Sequence, residues 1–426
     1  MSGGYLRKLP LQIQRIISLA GDTAERNNLS AYLVGGFVRD LILGKKNLDL
    51  DIVVEGDGIK FAENLARDTH SHIIIHKRFG TATLKTGSGL KVDIATARSE
   101  IYRYPAHLPE VRTGSLKDDL FRRDFTINAM AMGITGVNSG NLIDFYGGKR
   151  DLSAGKIRVL HDLSFMDDPT RILRAIRFEQ RYNFRIEKNT LSLLREAKNT
   201  GIFEKVQPHR LRDEFILSLK EERPLKEIKR IQELTGFGFL DRDLCVTKRG
   251  YGALASLDKE IRWFKQAYPK RRSLDSWLVY FMGLIDQLPT GRLKLLCRRF
   301  SFLKGEEKRI MGWRAIKADF ISLLKQPDLK PSRIFSLLEP LSYEVIIMIK
   351  AKFKDKNIKK HIEDFFEIYN GMRLCISGKD IKAMGISPGP YYRKIFSAVL
   401  KAKLNGEVKD KEEEFAMIRK LTAAMR

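Results

Sequence analysis

The sequence predicts an α/β N-terminal domain followed by an all-helical region. Over roughly the first 150 residues, short apolar runs alternate with stretches of helical spacing. After about residue 165 glycine becomes sparse, and apolar residues recur at i, i+3 and i+4 over long stretches. The 426 residues exceed the span of one ordinary core, so two or more domains are expected in tandem.

Each element follows from its residues. Ala31 to Gly36 is an apolar run closed by two glycines, and a helix is expected to begin at Phe37, with Arg39 in its first turn. Asp49 to Glu55 starts with the period-two alternation of a strand. Ile59 to Thr69 has helical spacing. Ile73 to Ile75, Thr81 to Lys85 and Lys91 to Thr96 are β-branched strand candidates. Arg98 to Asp119, with Pro105, Pro109 and Gly114, reads as a loop. Phe125 to Met132 reads as helix, Asn141 to Tyr146 as a further strand, and Asp144 to Asp151 as a turn leading into the helices. Ile172 to Glu179, Leu211 to Leu219, Leu274 to Ile285 and Ile334 to Phe353 carry the helical pattern onward.

Lys and Arg number 78 against 52 Asp and Glu, a formal net charge of +26. That excess points to a polyanionic partner, nucleic acid ahead of membrane, since no stretch is a basic amphipathic anchor. With 43% hydrophobic and 9% aromatic residues, the chain as a whole is not disordered. No apolar run reaches the ~18–20 residues that cross a bilayer, and the first residues lack a continuous signal-peptide core. Cys245, Cys297 and Cys375 lie far apart and suit a reducing compartment, so a cytoplasmic protein is expected.

The sharpest local feature is Asp49-Leu50-Asp51. Alternate strand residues share a face, which puts the two carboxylates ~6–7 Å apart at the backbone. Like charges so placed call for a cation, and paired carboxylates suit Mg²⁺. Gly35 and Gly36 would let the backbone approach a ligand, with a helix start and Arg39 to meet phosphate. Such parts fit a metal-bound nucleoside triphosphate site; they also fit a turn beside the polar face of an edge strand. Asp93 adds a third carboxylate on a neighbouring candidate strand. Arg122-Arg123-Asp124 precedes Asn128 by about one turn. Asp168 before Pro169 is a fair helix cap, and Arg171, Arg174 and Arg177 then form a cationic stripe. A stripe of this kind repels itself unless it faces phosphates or carboxylates from elsewhere in the chain.

Together these motifs resemble the class II tRNA nucleotidyltransferase and bacterial poly(A) polymerase family of the polymerase β superfamily. The resemblance rests on LVGGFVRDLILGKKNLDLD (Leu33 to Asp51), RRDFTINAMA (Arg122 to Ala131), DFYGGKRDL (Asp144 to Leu152), DDPTRILRAIRF (Asp167 to Phe178) and RLRDE (Arg210 to Glu214). Ser377 to Val408 also resembles the tail of many bacterial members. The family usually has Glu-Asp where this chain has Asp167-Asp168. The resemblance implies a nucleotidyltransferase head over residues 1–152 with a mixed, polymerase β-like sheet, a base-recognition neck over 153–220, and a helical tRNA-binding body and tail over 221–426.

By the same resemblance, Asp49 and Asp51 hold Mg²⁺ and are catalytic, with Asp93 a third ligand or base. Gly35, Gly36, Arg39, Arg123, Asp124 and Asn128 bind the incoming nucleotide. Asp168 and Arg171 read the base edge of ATP or CTP, and Arg174 and Arg177 add further nucleotide contacts. Adenine and cytosine both offer an exocyclic amine to a carboxylate and ring acceptors to a guanidinium, whereas uracil and guanine would leave buried charge unpaired. The implied reaction is in-line attack of an RNA 3′-hydroxyl on the α-phosphorus, with pyrophosphate released. The isolated His161-Asp162 pair lacks further ligands and reads as structural.

The helical half is expected to hold RNA. Nine Lys or Arg fall between Arg292 and Lys317, among them Arg298, Arg299, Lys304, Lys308 and Arg309, and six lysines lie between Lys350 and Lys360. The implied substrate is the 3′ end of tRNA, extended with CCA or only its final A. A poly(A) polymerase is the nearest alternative, but Asn128 to Met132 reads NAMAM where tyrosines mark the polymerases. A full-length loop from Arg98 to Leu120 argues against addition of CC alone. A non-catalytic RNA-binding descendant is disfavoured by the intact carboxylates and arginines.

Overall fold

The computed structural model describes residues 4–45, 49–271 and 273–423. Residues 46–48, inside the first motif, lie outside them. Two compact units divide the chain, Met1–Asp243 and Leu244–Arg426.

In the first unit α1 (Leu11–Arg26) leads to β1 (Ser30–Val34), α2 (Gly35–Ile42), β2 (Leu50–Glu55), α3 (Gly58–Asp68), β3 (His72–His76), β4 (Thr81–Lys85) and β5 (Lys91–Thr96). The short strands β6 (Arg98–Ile101) and β7 (Glu110–Thr113) precede α4 (Leu116–Phe121), β8 (Ala131–Gly133) and β9 (Leu142–Ile143). Seven strands form one mixed sheet in the order β3-β4-β5-β2-β1-β8-β9. Only β2 and β5 run parallel within it, and their register sets Asp51 opposite Asp93. Leu33, Ile52, Val54, Val92 and Ile94 are fully buried in the sheet, as the alternation of these strands requires.

Then follow α5 (Gly148–Ser153), β10 (Lys156–Ile157), α6 (Ser164–Asp167), α7 (Thr170–Tyr182), β11 (Arg185–Ile186), α8 (Lys188–Asn199), α9 (Pro208–Leu219) and α10 (Pro224–Leu234). Helix α7 packs on both α9 and α10.

The second unit is helical throughout its described residues: α11 (Lys248–Ala267), α12 (Ser276–Leu284), α13 (Thr290–Arg299), α14 (Lys304–Arg314), α15 (Ala318–Leu324), α16 (Pro331–Leu338), α17 (Tyr343–Lys352), α18 (Lys356–Asp364), α19 (Gly378–Ala383), α20 (Pro390–Leu404) and α21 (Lys411–Ala423). Helices α11, α12 and α17 pack together around Phe264, Phe281, Ile346 and Ile349.

Several expectations change. Helix α2 starts at Gly35, not Phe37, because Gly35 adopts a φ of +68° that places the backbone turn directly before it; Arg39 therefore sits in the last turn. The segment 98–119 is not plain loop: β6 and β7 pair in register, and α4 begins at Leu116 behind a Ser115–Asp118 capping box. Residues 125–132 are a single 3₁₀ turn (Thr126–Asn128) followed by β8, since Ala131 and Met132 pair with β1. Residues 144–151 are more than a turn, because the Asp144 carboxylate accepts from the backbone N–H of Gly148 and Lys149 and starts α5. Residues 334–353 are two helices, interrupted before Ser342, whose hydroxyl caps α17.

Candidate active site

At the central β2–β5 pair, burial pushes the Asp51 carboxyl up to about 6; Arg123 opposes this while Asp93 and Asp49 add to it. Asp49 itself, one residue before β2, is exposed. Asp93 accepts from Thr83 Oγ1 at 2.6 Å and pairs with Lys91 at 2.5 Å. A buried carboxyl whose ionised form is disfavoured, with further carboxylates beside it, is the kind of donor set a hard divalent ion takes, with water or phosphate completing its oxygen shell. Asp49 and Asp51 fit that role; Asp93 is already held by protein donors. Among the described residues there is no cluster of three or more metal-ligating side chains.

Gly35 is required beside them. A Cβ there would lie 2.5 Å from Arg123 Nη1, and its left-handed φ would strain any other residue. Arg123 is anchored from α4, its Nη2 donating to Asp119 at 2.9 Å. Arg122 donates to the same fully buried carboxylate. Burial pushes Asp119 up, but Arg123 and Arg122 outweigh it and hold the group below its ordinary range.

Beside these strands runs a chain of buried polar contacts. Arg39 spans both Asp40 oxygens at 2.9 Å and donates to Asn128 Oδ1 at 2.5 Å, with its guanidinium 4.9 Å from the Tyr182 ring centre. Asn128 Nδ2 donates to Asp124 Oδ1 at 2.8 Å. Asp124 is held in the ionised form because Arg174 and Asn128 overcome the penalty of burial. Arg174 donates through Nε and Nη2 to Asp124 Oδ2 and through Nη1 to Glu214 Oε1, and Arg177 Nη2 donates to Glu214 Oε2. Glu221 pairs with Arg177 and Arg181.

Asp168 and Arg171 stand apart from this chain. Every bond recorded for Asp168 falls on Oδ1, from Thr170 N, Thr170 Oγ1 and Arg210. Its other oxygen carries none among the described residues. Arg171 donates to Ser164 Oγ at 2.8 Å and to the backbone oxygen of Arg122 at 2.7 Å, and it has no carboxylate partner among the described residues. One acceptor oxygen and one guanidinium outside any ion pair thus line the same cleft at the start of α7, with Asp167 and Asp124 near enough to feel the Arg171 charge.

A cleft of about 560 Å³ gathers both ends: Gly36, Arg39, Asp51, Arg123, Asp124, Asn128, Asp168, Arg171, Arg174 and Arg177 all line it. Asp49 and Asp93 are not in its lining, and Gly35 adjoins it through Arg123 and Asp51. Glu100, Tyr102, Arg122, Phe178 and Arg181 complete the wall; sequence reasoning did not single these out as site residues. For Arg122 the signal was available, since Asp119 precedes it by three residues on a helix. Tyr102 lies in a segment expected to be loop, and no pattern marked it. Seven arginines face four carboxylates across the cleft, so it presents net positive charge to an anionic ligand. In the second unit, Arg298, Arg299, Lys304 and Lys308 are exposed, whereas Arg309 turns inward to Asp275 and to the fully buried Glu344.

Crowded carboxylates at the β2–β5 pair and an arginine-lined cleft are the parts that a site for an anionic ligand held with a cation would use. The family model described as the poly A polymerase head domain matches residues 31–158. The A-adding tRNA nucleotidyltransferase of Geobacter sulfurreducens is 38% identical over 413 residues, 96% of this chain. That of Aquifex aeolicus is 39% identical over 79% of the chain. The chain spans 47% and 40% of these two relatives' own lengths, about half or less. The Thermotoga maritima CCA-adding enzyme, solved complexed with tRNA, superposes with a TM-score of 0.71 at 34% identity, covering 99% of this chain and 98% of that one. The chain belongs to the tRNA nucleotidyltransferase and poly(A) polymerase family. No helix among its described residues is long and apolar enough to cross a membrane.

Proposed function

We propose that the chain transfers nucleotides from ATP, and from CTP, to the 3′ end of tRNA without a nucleic-acid template, releasing pyrophosphate. One observation carries this reading: a single cleft holds Asp51 at one wall and the Asp168–Arg171 pair at another. Family membership and the likeness to a tRNA-bound CCA-adding enzyme support it. When bound, Mg²⁺ would lower the pKa of the attacking hydroxyl and offset charge on the leaving pyrophosphate. Asp49 and Asp51 hold that cation, and Asp93 flanks them. Arg123 and Arg39, fixed by Asp119 and Asp40, present cationic N–H groups to phosphate and ribose, with Gly35 and Gly36 keeping the approach open. Asp168 offers its unbonded oxygen to the exocyclic amine of adenine or cytosine, and Arg171 donates to the ring acceptor beside it.

Residues 1–152 form the catalytic head in this reading, 153–220 the base-reading neck, and 221–426 the tRNA-binding body and tail, with exposed Arg298, Arg299, Lys304 and Lys308 meeting phosphates. The proposed compartment is the cytoplasm, where tRNA is matured. A second reading, addition of the terminal A alone, is favoured by the two A-adding relatives. The test supplies tRNAs ending at the discriminator base, at C and at CC, each with ATP, CTP or both and Mg²⁺. Extension of all three to CCA supports the first reading, extension of only the CC-ended substrate by ATP supports the second, and no extension of any rejects both.

A further inference from the structure

Four ring-bearing side chains form an open platform beside the cleft. Phe121 lies 5.7 Å from the Tyr146 ring and 5.2 Å from the His161 ring, and Phe145 lies 6.2 Å from Tyr146. Tyr146 packs onto the buried cluster of Val34, Val53, Leu116 and Leu120, so the group has a rigid base. Its outer rings do not share that burial: Phe121 is 45% exposed and Phe145 50%, and Leu163, two residues past His161, is 63% exposed. Single exposed apolar residues are ordinary; aromatic rings in mutual contact next to a binding cleft point to a ligand.

The platform is continuous with the base-reading end. Phe121 immediately precedes Arg122, whose backbone oxygen accepts from Arg171. His161 Nε2 is 3.9 Å from Asp167, the neighbour of Asp168. Burial and the nearby Arg171 hold the His161 imidazole below its ordinary pKa, which keeps the ring neutral near pH 7. Around the rings the surface carries charge of both signs: Lys117, whose backbone oxygen accepts from the Tyr146 hydroxyl, Lys149 and Arg150 are exposed, as are Asp118 near Tyr146 and Asp162 near His161.

Resting on the proposed nucleotide transfer, we infer that Phe121, Phe145, Tyr146 and His161 form a stacking platform for the unpaired bases at the 3′ end of the RNA primer. Rings that stack on bases, flanked by charges that meet phosphates, are what single-stranded RNA binding uses. Stacking also suits this task for a specific reason. The last base of the primer changes each time a nucleotide is added, and every base has a π-face, so a platform accepts each successive end where a hydrogen-bonding pocket would reject some.

The test uses a stem–loop RNA whose unpaired 3′ end carries 2-aminopurine, bound to the full chain without triphosphate so that no chemistry intervenes. The wild-type protein should quench the fluorophore by stacking. Phe121→Ala and Phe145→Ala, both at exposed positions, should each relieve quenching and weaken binding of this RNA by about 5- to 100-fold. A blunt duplex of the same stem should bind all variants alike, and Phe121→Trp should keep the quenching. Unchanged quenching and affinity in both alanine variants would overturn the platform while leaving nucleotide transfer standing, and would return the exposed rings to a protein-binding role. A wild-type chain that neither binds nor extends the RNA would overturn the proposed function along with the platform.

Discussion

The two ends of the cleft handle charge in opposite ways. At the central β2–β5 pair like charges crowd: Asp51 lies in register with Asp93 on the neighbouring strand, with Asp49 nearby, and the Asp51 carboxyl is pushed up to about 6. Along α7 the charges are matched, with Arg174 shared between Asp124 and Glu214 and Arg177 between Glu214 and Glu221. Only Arg171 in that stripe lacks a carboxylate among the described residues. The difference separates structural charge from functional charge. A group already neutralised by the protein organises the fold, whereas the proposed function gives Asp51 and Arg171, the groups left without an ion pair, their partners in the cation and the nucleotide.

The crowded end should respond most strongly to loss of a charge. Asp51→Asn should lower nucleotide incorporation by several orders of magnitude while tRNA affinity, read by filter binding, stays within a few-fold, because the carboxylate acts on the triphosphate. Retention of a tenth of wild-type turnover would show that Asp51 holds no catalytic cation.

The matched end should respond in stability instead. Glu214→Ala leaves two guanidinium groups without their shared partner, and the Arg177 side chain is only 6% exposed. Breaking a buried pair in this manner costs roughly 3–5 kcal/mol, which should appear as a lower urea midpoint. An unchanged midpoint would mean that Glu214 is not what holds the stripe.

How much of this was legible in the sequence depends on where the partner lies in the chain. Asp51, Asp93 and the strands carrying them, with Asp49 just before β2, could be read because a two-residue period and β-branched content are local signals. The arginine stripe was visible, but its neutralisation was not: Glu214 sits 40 residues from Arg174 and Asp124 sits 50, and no local pattern reports such pairing. The same limit applies to Arg309, read as an RNA contact from its basic neighbourhood yet paired with Glu344, 35 residues away. Residues 125–132 failed for a different reason. Their apolar run fits helix or strand alike, and only pairing of Ala131 and Met132 with β1 decides it.

A pH-dependent effect bears on the matched end as well. Glu227 on α10 is buried, its Oε2 has no hydrogen-bond partner, and burial together with Glu221 raises its carboxyl to about 9 despite Arg177 and Arg181. It is one carboxylate more than the arginines can match. The unfolded chain loses this proton near pH 4.5 and the folded chain near 9. The stabilising contribution is therefore full below about pH 4.5 and is lost as the pH rises through about 9. Glu227→Gln, neutral at every pH, should match the wild type in acid and become progressively more stable than it toward alkaline pH. A constant difference between the two would place Glu227 in an ordinary, ionised environment.

Base reading by the cleft hinges on Arg171 being the guanidinium left for the base, and kcat/KM for the four nucleoside triphosphates on one tRNA primer tests that directly. Rejection of UTP and GTP comes from buried polar groups left unpaired, and removing one of those groups removes part of the penalty. Arg171→Ala should therefore relax discrimination against UTP and GTP by more than it weakens use of ATP. Arg174→Ala, whose guanidinium is held by Asp124 and Glu214, should slow all four alike. Equal losses across the four triphosphates in Arg171→Ala would contradict base reading by this cleft.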